Sequence, residues 1–381
     1  MRVRRLTLEE FRSYAHLELD LSPGITAFIG INGAGKTNLL EAVHLAARGD
    51  SARAAEDAEM VRWGASVGRI KLEVDREADP RNVEVVLFAP TEGERRRPRR
   101  WLLEGAGKRA DDVIGELKVV AFFPEDVDLL GAAPSARRRY LDAMIGQVDR
   151  RHRTDMREYQ RVVEQRNALL RALRESGAGG SGMDELIFWN ESLCRLGGAI
   201  SHRRENAVQE LRPAFARAVS TLTAGGTLDL TYVAQVDGAS ADERAAAYAR
   251  SVIEKGQREI WQGSTLVGPH REDMVIRGGE GRPLPAFASR GEHRSAVLSL
   301  KLAEAEWLRA ASHEMPVFLL DDVLSELDPA RREALVGALP GEAQVLVTAA
   351  LPAGLPPGLL SRATVCEVSA GNVGIRVDPK K

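Results

Sequence analysis

Polar and apolar positions alternate along Val3–Phe11 (VRRLTLEEF), and again from His16, where HLELDLSPGITAFIG closes in an apolar run that enters Gly30. This period-two pattern predicts two strands in the first 30 residues. KTNLLEAVHLAAR (Lys36–Arg48) then reads as a helix. Strand-like pieces follow at GRIKLEV, VEVVLF and RWLLEG, with a basic turn, ERRRPRR (Glu94–Arg100), between the last two. From about Ser135 to Trp261 the chain is largely helical. SGAGGSG (Ser176–Gly182) and a strand-like TLDLTYV (Thr227–Val233) interrupt that stretch. After Gly263 strands return at DMVIRG, VFLLDD and AQVLVTAA, with a helix on either side of VFLLDD. The order strand-rich, helix-rich, strand-rich predicts one α/β nucleotide-binding lobe assembled from both chain ends, with a helical lobe inserted. The expected divisions are 1–120, 121–262 and 263–381.

Composition changes this picture little. The 381 residues are 44% hydrophobic and 28% charged, an ordinary mix for a chain with a sizeable core. No window reaches the ~18 continuous apolar residues of a membrane span, and MRVRRLTLEEF lacks the apolar run of a signal peptide. Two cysteines, Cys194 and Cys366, make no disulfide framework, so a cytoplasmic protein is expected. A net charge of −2 excludes a chain that is basic throughout, yet eleven arginines face five acids between Arg137 and Arg174. Either a solvated helical face or a phosphate-tracking surface accounts for that excess.

The chemistry begins at GINGAGKT (Gly30–Thr37), which fits G-x-x-x-x-G-K-[ST] without a mismatch. Glycines let successive N–H groups turn onto phosphate oxygens, and the helix behind them points its positive end at the same anion. The loop comprises Gly30, Ile31, Asn32, Gly33, Ala34, Gly35, Lys36, Thr37 and Asn38. Lys36 is expected at the β- and γ-phosphates and Thr37 on Mg²⁺.

VFLLDDVLSELD (Val317–Asp328) is an apolar strand ending in paired aspartates. Acids at the carboxyl end of such a strand belong at the open edge of a parallel sheet, where ligands of α/β proteins bind. Asp321 is expected to hold Mg²⁺ through water, and Asp322 to polarise or deprotonate the attacking water. Lys36 and Asp321 lie 285 residues apart, so a whole lobe separates them. Small kinases and GTPases keep these parts closer. A third feature is FASRGEHRSAVLSLKLAEAEWL (Phe287–Leu308), an amphipathic helix opening on Ser289-Arg290-Gly291. By itself this is explained by ordinary helix capping.

Taken in order, these segments resemble the ABC-type ATPase heads of structural-maintenance-of-chromosomes (SMC) proteins. SRGEH stands where that class carries its S-G-G-Q signature, and SELD (Ser325–Asp328) resembles its D-loop. FFPEDVDLLGAAPSARRRYLD (Phe122–Asp142) and LVGPHREDM (Leu266–Met274) narrow the resemblance to the RecF family of bacterial recombination mediators. Departures are Ala132 and Ala133 for the usual Gly-Ser before Pro134, and Glu292 where the family usually has glutamine. Asp322 replaces the common ABC glutamate, as in the RecF family, and Thr348 occupies the switch-histidine position.

The resemblance implies an ABC-type ATPase lobe, with a mixed sheet, built from both chain ends. It implies that Lys36, Thr37 and Asp321 hold ATP·Mg²⁺ in cis, while Ser289, Gly291 and Glu292 of a second copy approach the γ-phosphate and Ser325 and Asp328 serve the D-loop. An ATP-dependent homodimer, slow hydrolysis acting as a release switch, and binding of double-stranded and gapped DNA follow. So does loading of the recombinase RecA with RecR and RecO, by a protein of the cytoplasm and nucleoid with no membrane role. DNA-contact expectations fall on Arg95, Arg96, Arg97, Arg137, Arg138 and Arg139, for which a salt-bridged helix start and a disordered turn are the competing explanations. Three other readings are a short SMC-like head, an assembly module with incidental ATPase activity, and a small-molecule kinase. Absence of a long heptad run speaks against the first, and the third lacks a visible acceptor pocket.

Overall fold

The structure, a computed structural model, describes residues 1–51, 53–76, 79–90, 97–176, 182–223, 226–278, 281–284, 288–325 and 327–375. The chain divides into two compact units. The first comprises Met1–Asp128, Ala214–Thr227 and Ser289–Lys381; the second, Leu129–Pro213 and Leu228–Ala288.

The first unit begins with β1 (Arg2–Phe11), β2 (Tyr14–Asp20) and β3 (Ile25–Ile29), then α1 (Lys36–Arg48). The expected second strand is thus two, because Pro23 and Gly24 end the alternating stretch before the apolar one begins. A register shift between Val3 and Arg5 moves the buried positions of β1 from Val3 to Leu6 and Leu8, so strict alternation resumes only after the bulge. Next come β4 (Val67–Asp75), β5 (Arg81–Phe88), β6 (Arg100–Leu103), β7 (Ala106–Lys108), the short α2 (Ala110–Val113) and β8 (Val119–Phe122). Strands β2-β1-β4-β5-β6-β7 form one antiparallel sheet.

The second unit carries α3 (Pro134–Gly146), α4 (Arg150–Ser176), most of α5 (Gly182–Leu222), β9 (Leu228–Val233), α6 (Ala241–Gln262) and β10 (Asp273–Gly278). Its two-stranded sheet pairs β9 with β10 antiparallel across the intervening α6, which is why residues 263–288 group with the helices and not with the C-terminal strands. β8 instead pairs with a strand near the C-terminus, so residues 121–128 group with the first unit. The unit boundaries therefore differ from the expected divisions at 120 and 262.

The C-terminal part returns to the first unit with α7 (Arg290–Ser312), β11 (Val317–Leu320), α8 (Pro329–Ala338), β12 (Val345–Ala349), α9 (Pro357–Leu360), β13 (Ala363–Ser369) and β14 (Asn372–Ile375). Strands β14-β13-β3-β12-β11-β8 make the second sheet, parallel throughout except for β14. β3, β11 and β12 are buried at every position, as a sheet covered on both faces requires. Helix α1 packs against strands of both sheets, and its Leu39, Leu40, Val43 and Leu45 are at most 1% exposed. Each of these side chains stabilises the layer by roughly 1.5–3 kcal/mol. Arg48 of α1 reaches Glu304 of α7 at 3.0 Å in a nearly solvent-free ion pair, which ties the two helices together.

In the second unit a polar core replaces part of the apolar one. Glu272, 1% exposed, accepts hydrogen bonds from Ser201 (3.2 Å), Tyr248 (2.5 Å), the Gln235 N–H (2.8 Å) and Tyr232. Arg204 grips both oxygens of Asp142 at 2.8 Å and donates to the Pro269 carbonyl at 2.7 Å. Buried hydrogen bonds shared in this way among several elements favour one arrangement of them.

Candidate functional site

β3 delivers the chain into the glycine loop at the carboxyl edge of the parallel sheet. A side chain at Gly30 would bring its Cβ within 2.3 Å of the Val368 carbonyl oxygen, so that turn admits only glycine. Gly35, at φ +109°, caps α1 in a left-handed conformation, and its carbonyl accepts from the Tyr14 hydroxyl at 3.1 Å. Lys36 folds back, its Nζ donating to the carbonyls of Gly30 (2.6 Å) and Ile31 (3.0 Å). Burial pushes the Lys36 pKa down, while Asp322 and Asp321 pull it up.

β11 ends beside the loop. Thr37 donates to Asp321 Oδ1 at 3.0 Å, and Thr348, at the end of β12, donates to the same oxygen at 2.8 Å. Thr348 Oγ1 also accepts the Asp322 N–H at 2.9 Å. Burial raises the Asp321 pKa, opposed by these two hydroxyls and by Arg53. Asp322 sits at φ +50°, a strained conformation for a non-glycine residue. Ser325 holds it there, donating to its carbonyl oxygen at 2.7 Å and to Oδ1 at 2.8 Å.

Lys36, Thr37, Asp321, Asp322 and Thr348 line a cleft of about 330 Å³, together with Asn32, Gly33, Gly35, Asn38 and Arg53. A cleft with clustered N–H donors, a lysine and two carboxylates can take a polyphosphate and a hard cation at once. Thus Lys36, Thr37, Asp321, Asp322, Ser325 and Thr348, drawn from three segments, come together. Ser289, Gly291, Glu292 and Asp328 are not among the residues lining this cleft.

Ser289 and Glu292 instead form a capping box at the start of α7. Glu292 Oε2 accepts from the Ser289 N–H (2.7 Å) and hydroxyl (2.8 Å), and Ser289 Oγ accepts the Glu292 N–H (3.3 Å). These bonds lower the Glu292 pKa. A Cβ on Gly291 would lie 3.1 Å from Arg331 Nη1. Asp328 caps α8 through the Arg331 N–H at 3.0 Å.

The arginine expectations divide. Arg95 and Arg96 lie outside the described residues, whereas Arg97 lies within them. Arg137 donates to both oxygens of Asp273 (2.9 and 2.6 Å) and to the carbonyls of Leu130 and Ala132 (3.0 and 2.7 Å). Arg138 donates to the Glu272 carbonyl at 2.8 Å. Both guanidinium groups therefore hold the two RecF-like stretches together, the salt-bridged helix start that competed with DNA contact; Arg139 is exposed. Sequence reasoning missed Arg53, Ser13 and Tyr14. Arg53 donates to Asn38 at 3.4 Å and Asn38 to Ser13 at 3.0 Å. A lone arginine in a loop and a turn between two strands carry no motif, so nothing along the chain marks them.

Among the described residues no helix is long and apolar enough to cross a membrane. Residues 2–353 match the family described as RecF/RecN/SMC N terminal domain. The chain is 38% identical over 98% of its length to the DNA replication and repair protein RecF of Roseiflexus castenholzii, covering 99% of that protein. It is 39% identical to that of Streptomyces avermitilis, again over 98% of this chain and 99% of the relative. A solved structure described as the recombination mediator protein RecF-ATP in the RecFOR pathway superposes with a TM-score of 0.87 at 26% identity, covering 98% of this chain and 97% of that one. An SMC head bound to the C-winged helix domain of ScpA superposes at 0.53 with 15% identity over 100% and 98% of the two chains, a likeness of fold alone. The chain belongs to the RecF family, and its α/β lobe is of the ABC ATPase type shared with SMC heads.

Proposed function

We propose that this protein is an ATP-dependent DNA-binding recombination mediator whose nucleotide state sets its assembly. The observation that carries this reading is the chain Thr37–Asp321–Thr348–Asp322, which joins the phosphate loop to the acidic strand through shared hydrogen bonds. Family membership and the ATP named for a solved RecF structure support it.

Lys36 would leave its two loop carbonyls for the β- and γ-phosphates, joined by the N–H groups of the loop and the start of α1. Thr37 Oγ1 and Asp321 Oδ1, both oxygen donors 3.0 Å apart, suit Mg²⁺, which binds few protein ligands and keeps most of its water. That ion would neutralise phosphate charge. Asp322 would orient the attacking water, held in place by Thr348 and Ser325. Its carboxylate is one methylene shorter than glutamate and positions water less firmly, so turnover is slow.

Ser289 and Gly291 of a second copy would meet the γ-phosphate, making ATP the link between two protomers and hydrolysis the release. The capping box holds Ser289 until an anion competes for it. The dimer would bind double-stranded and gapped DNA and, with RecR and RecO, assist RecA loading.

Sedimentation velocity of Asp322→Asn with Mg²⁺, with and without ATP, tests this. A shift from monomer to dimer only with ATP is expected. A monomer at all concentrations, with ATP demonstrably bound, overturns the two-copy mechanism.

A further inference from the structure

A second cleft, of about 860 Å³, lies in the first unit on the antiparallel sheet, toward the edge strand β7. Its lining is cationic although the chain as a whole is not: five basic residues stand against Glu84 and Asp112. Two of the five are occupied. Arg69 pairs with Glu84 at 3.4 Å, and Arg99 holds Asp57 and the Gly49 carbonyl. The side chains of Arg100, Lys108 and Arg109 meet no carboxylate among the described residues. Arg100 lies over the Phe88 ring at 5.6 Å, which fixes the guanidinium plane without using its N–H donors. Phe88 and Arg100 are on β5 and β6, Lys108 ends the edge strand β7, and Arg109 precedes α2, so the cations line several successive elements.

We propose that this cleft binds the sugar–phosphate backbone of duplex DNA, with Arg100, Lys108 and Arg109 each neutralising a phosphate. The proposal rests on the DNA-binding reading above and assigns it a place. A mononucleotide would need convergent donors and a base pocket. Cations that meet no carboxylate among the described residues, on separate elements of an open cleft, suit a polyanion that runs across them. Arg139 on α3 is not required by this assignment.

The test is ATP-dependent binding of a fluorescent duplex over a salt series, comparing the protein with the Arg100→Gln, Lys108→Gln, Arg109→Gln variant. Each phosphate contact contributes about 0.9 to the slope of log affinity against log salt, so the slope should fall by about 2–3. Sedimentation with ATP and hydrolysis without DNA should not change. Lys108→Glu alone, at a strand edge where no side-chain hydrogen bond is lost, should weaken binding roughly tenfold. A control removing exposed charge on α6, Arg250→Gln with Arg258→Gln, should leave the slope intact. An unchanged slope in the triple variant, or an equal loss per charge in the control, overturns the assignment while leaving DNA binding standing. No ATP-dependent DNA affinity in the unaltered protein would instead overturn the functional reading itself.

Discussion

Thr348 Oγ1 donates to Asp321 Oδ1 at 2.8 Å and accepts the Asp322 N–H at 2.9 Å, so one hydroxyl holds the Asp321 carboxylate and the Asp322 backbone. Thr348→Val removes both bonds while conserving shape. It leaves a partly buried N–H unanswered, at a local cost of about 1 kcal/mol. The expected outcome is ATP binding within severalfold of normal and hydrolysis at least tenfold slower, measured by filter binding and phosphate release. Equal hydrolysis would show that Asp322 is placed by Ser325 alone.

Lys36→Met removes the only side-chain amine lining the cleft among the described residues. ATP affinity should fall by two orders of magnitude or more, with far-ultraviolet circular dichroism unchanged, because the loop turn rests on its glycines. A variant that still binds ATP tightly would place the phosphates elsewhere.

Glu292→Gln keeps a capping side chain but removes a charge beside Ser289. In analytical ultracentrifugation the ATP-linked dimer should strengthen severalfold, most at low salt, where repulsion between Glu292 and a γ-phosphate is least screened. No change at any ionic strength would place Glu292 away from the nucleotide of the second copy.

Arg137→Ala breaks a largely buried ion pair and strands Asp273. Stability should fall by about 3 kcal/mol in urea unfolding. Arg139→Gln, at an exposed position, should leave the midpoint unmoved. Reversal of this order would mean that Arg137 is a ligand contact and not a brace.

Acid should destabilise the fold before the carboxylates titrate. His270 donates from Nε2 to the Thr265 carbonyl at 3.2 Å and so accepts the Tyr159 hydroxyl at Nδ1, 2.6 Å away, which fixes it neutral. Burial pushes its pKa down from 6.5 to about 4, and that of His44 likewise to about 4. A base with a depressed folded pKa contributes stability that is full above 6.5 and is lost as pH falls through about 4. Each histidine should therefore cost about 2 kcal/mol on going from about pH 6.5 to about pH 5. Thermal unfolding at the two pH values checks this, and His270→Gln should flatten the dependence.

How much of this was legible along the chain follows from the range of the forces involved. The glycine loop, the helix behind it and the acidic strand declare themselves locally. Backbone geometry, period and the cost of a carboxylate in a covered strand act over a few residues, so Gly30–Asn38 and Val317–Asp322 could be read directly. Helix α7 was legible as a helix, and its capping box is the local explanation that the residues suggested. What only the tertiary structure decided is which distant groups meet. Thr348 and Asp321 are joined because β12 lies between β3 and β11 in a parallel sheet, a pairing order that no local pattern encodes. For Arg137 and Arg138 the sequence left DNA contact and a salt-bridged helix start both open; the fold turns both onto residues 272–273, because the start of β10 supplies the acceptors. Arg53 and Ser13 reach the site from a loop and a turn, and Tyr14 from the first position of β2, where side-chain identity carries no periodicity. Local order was set by the chain's own pattern, and charge partnership by long-range packing.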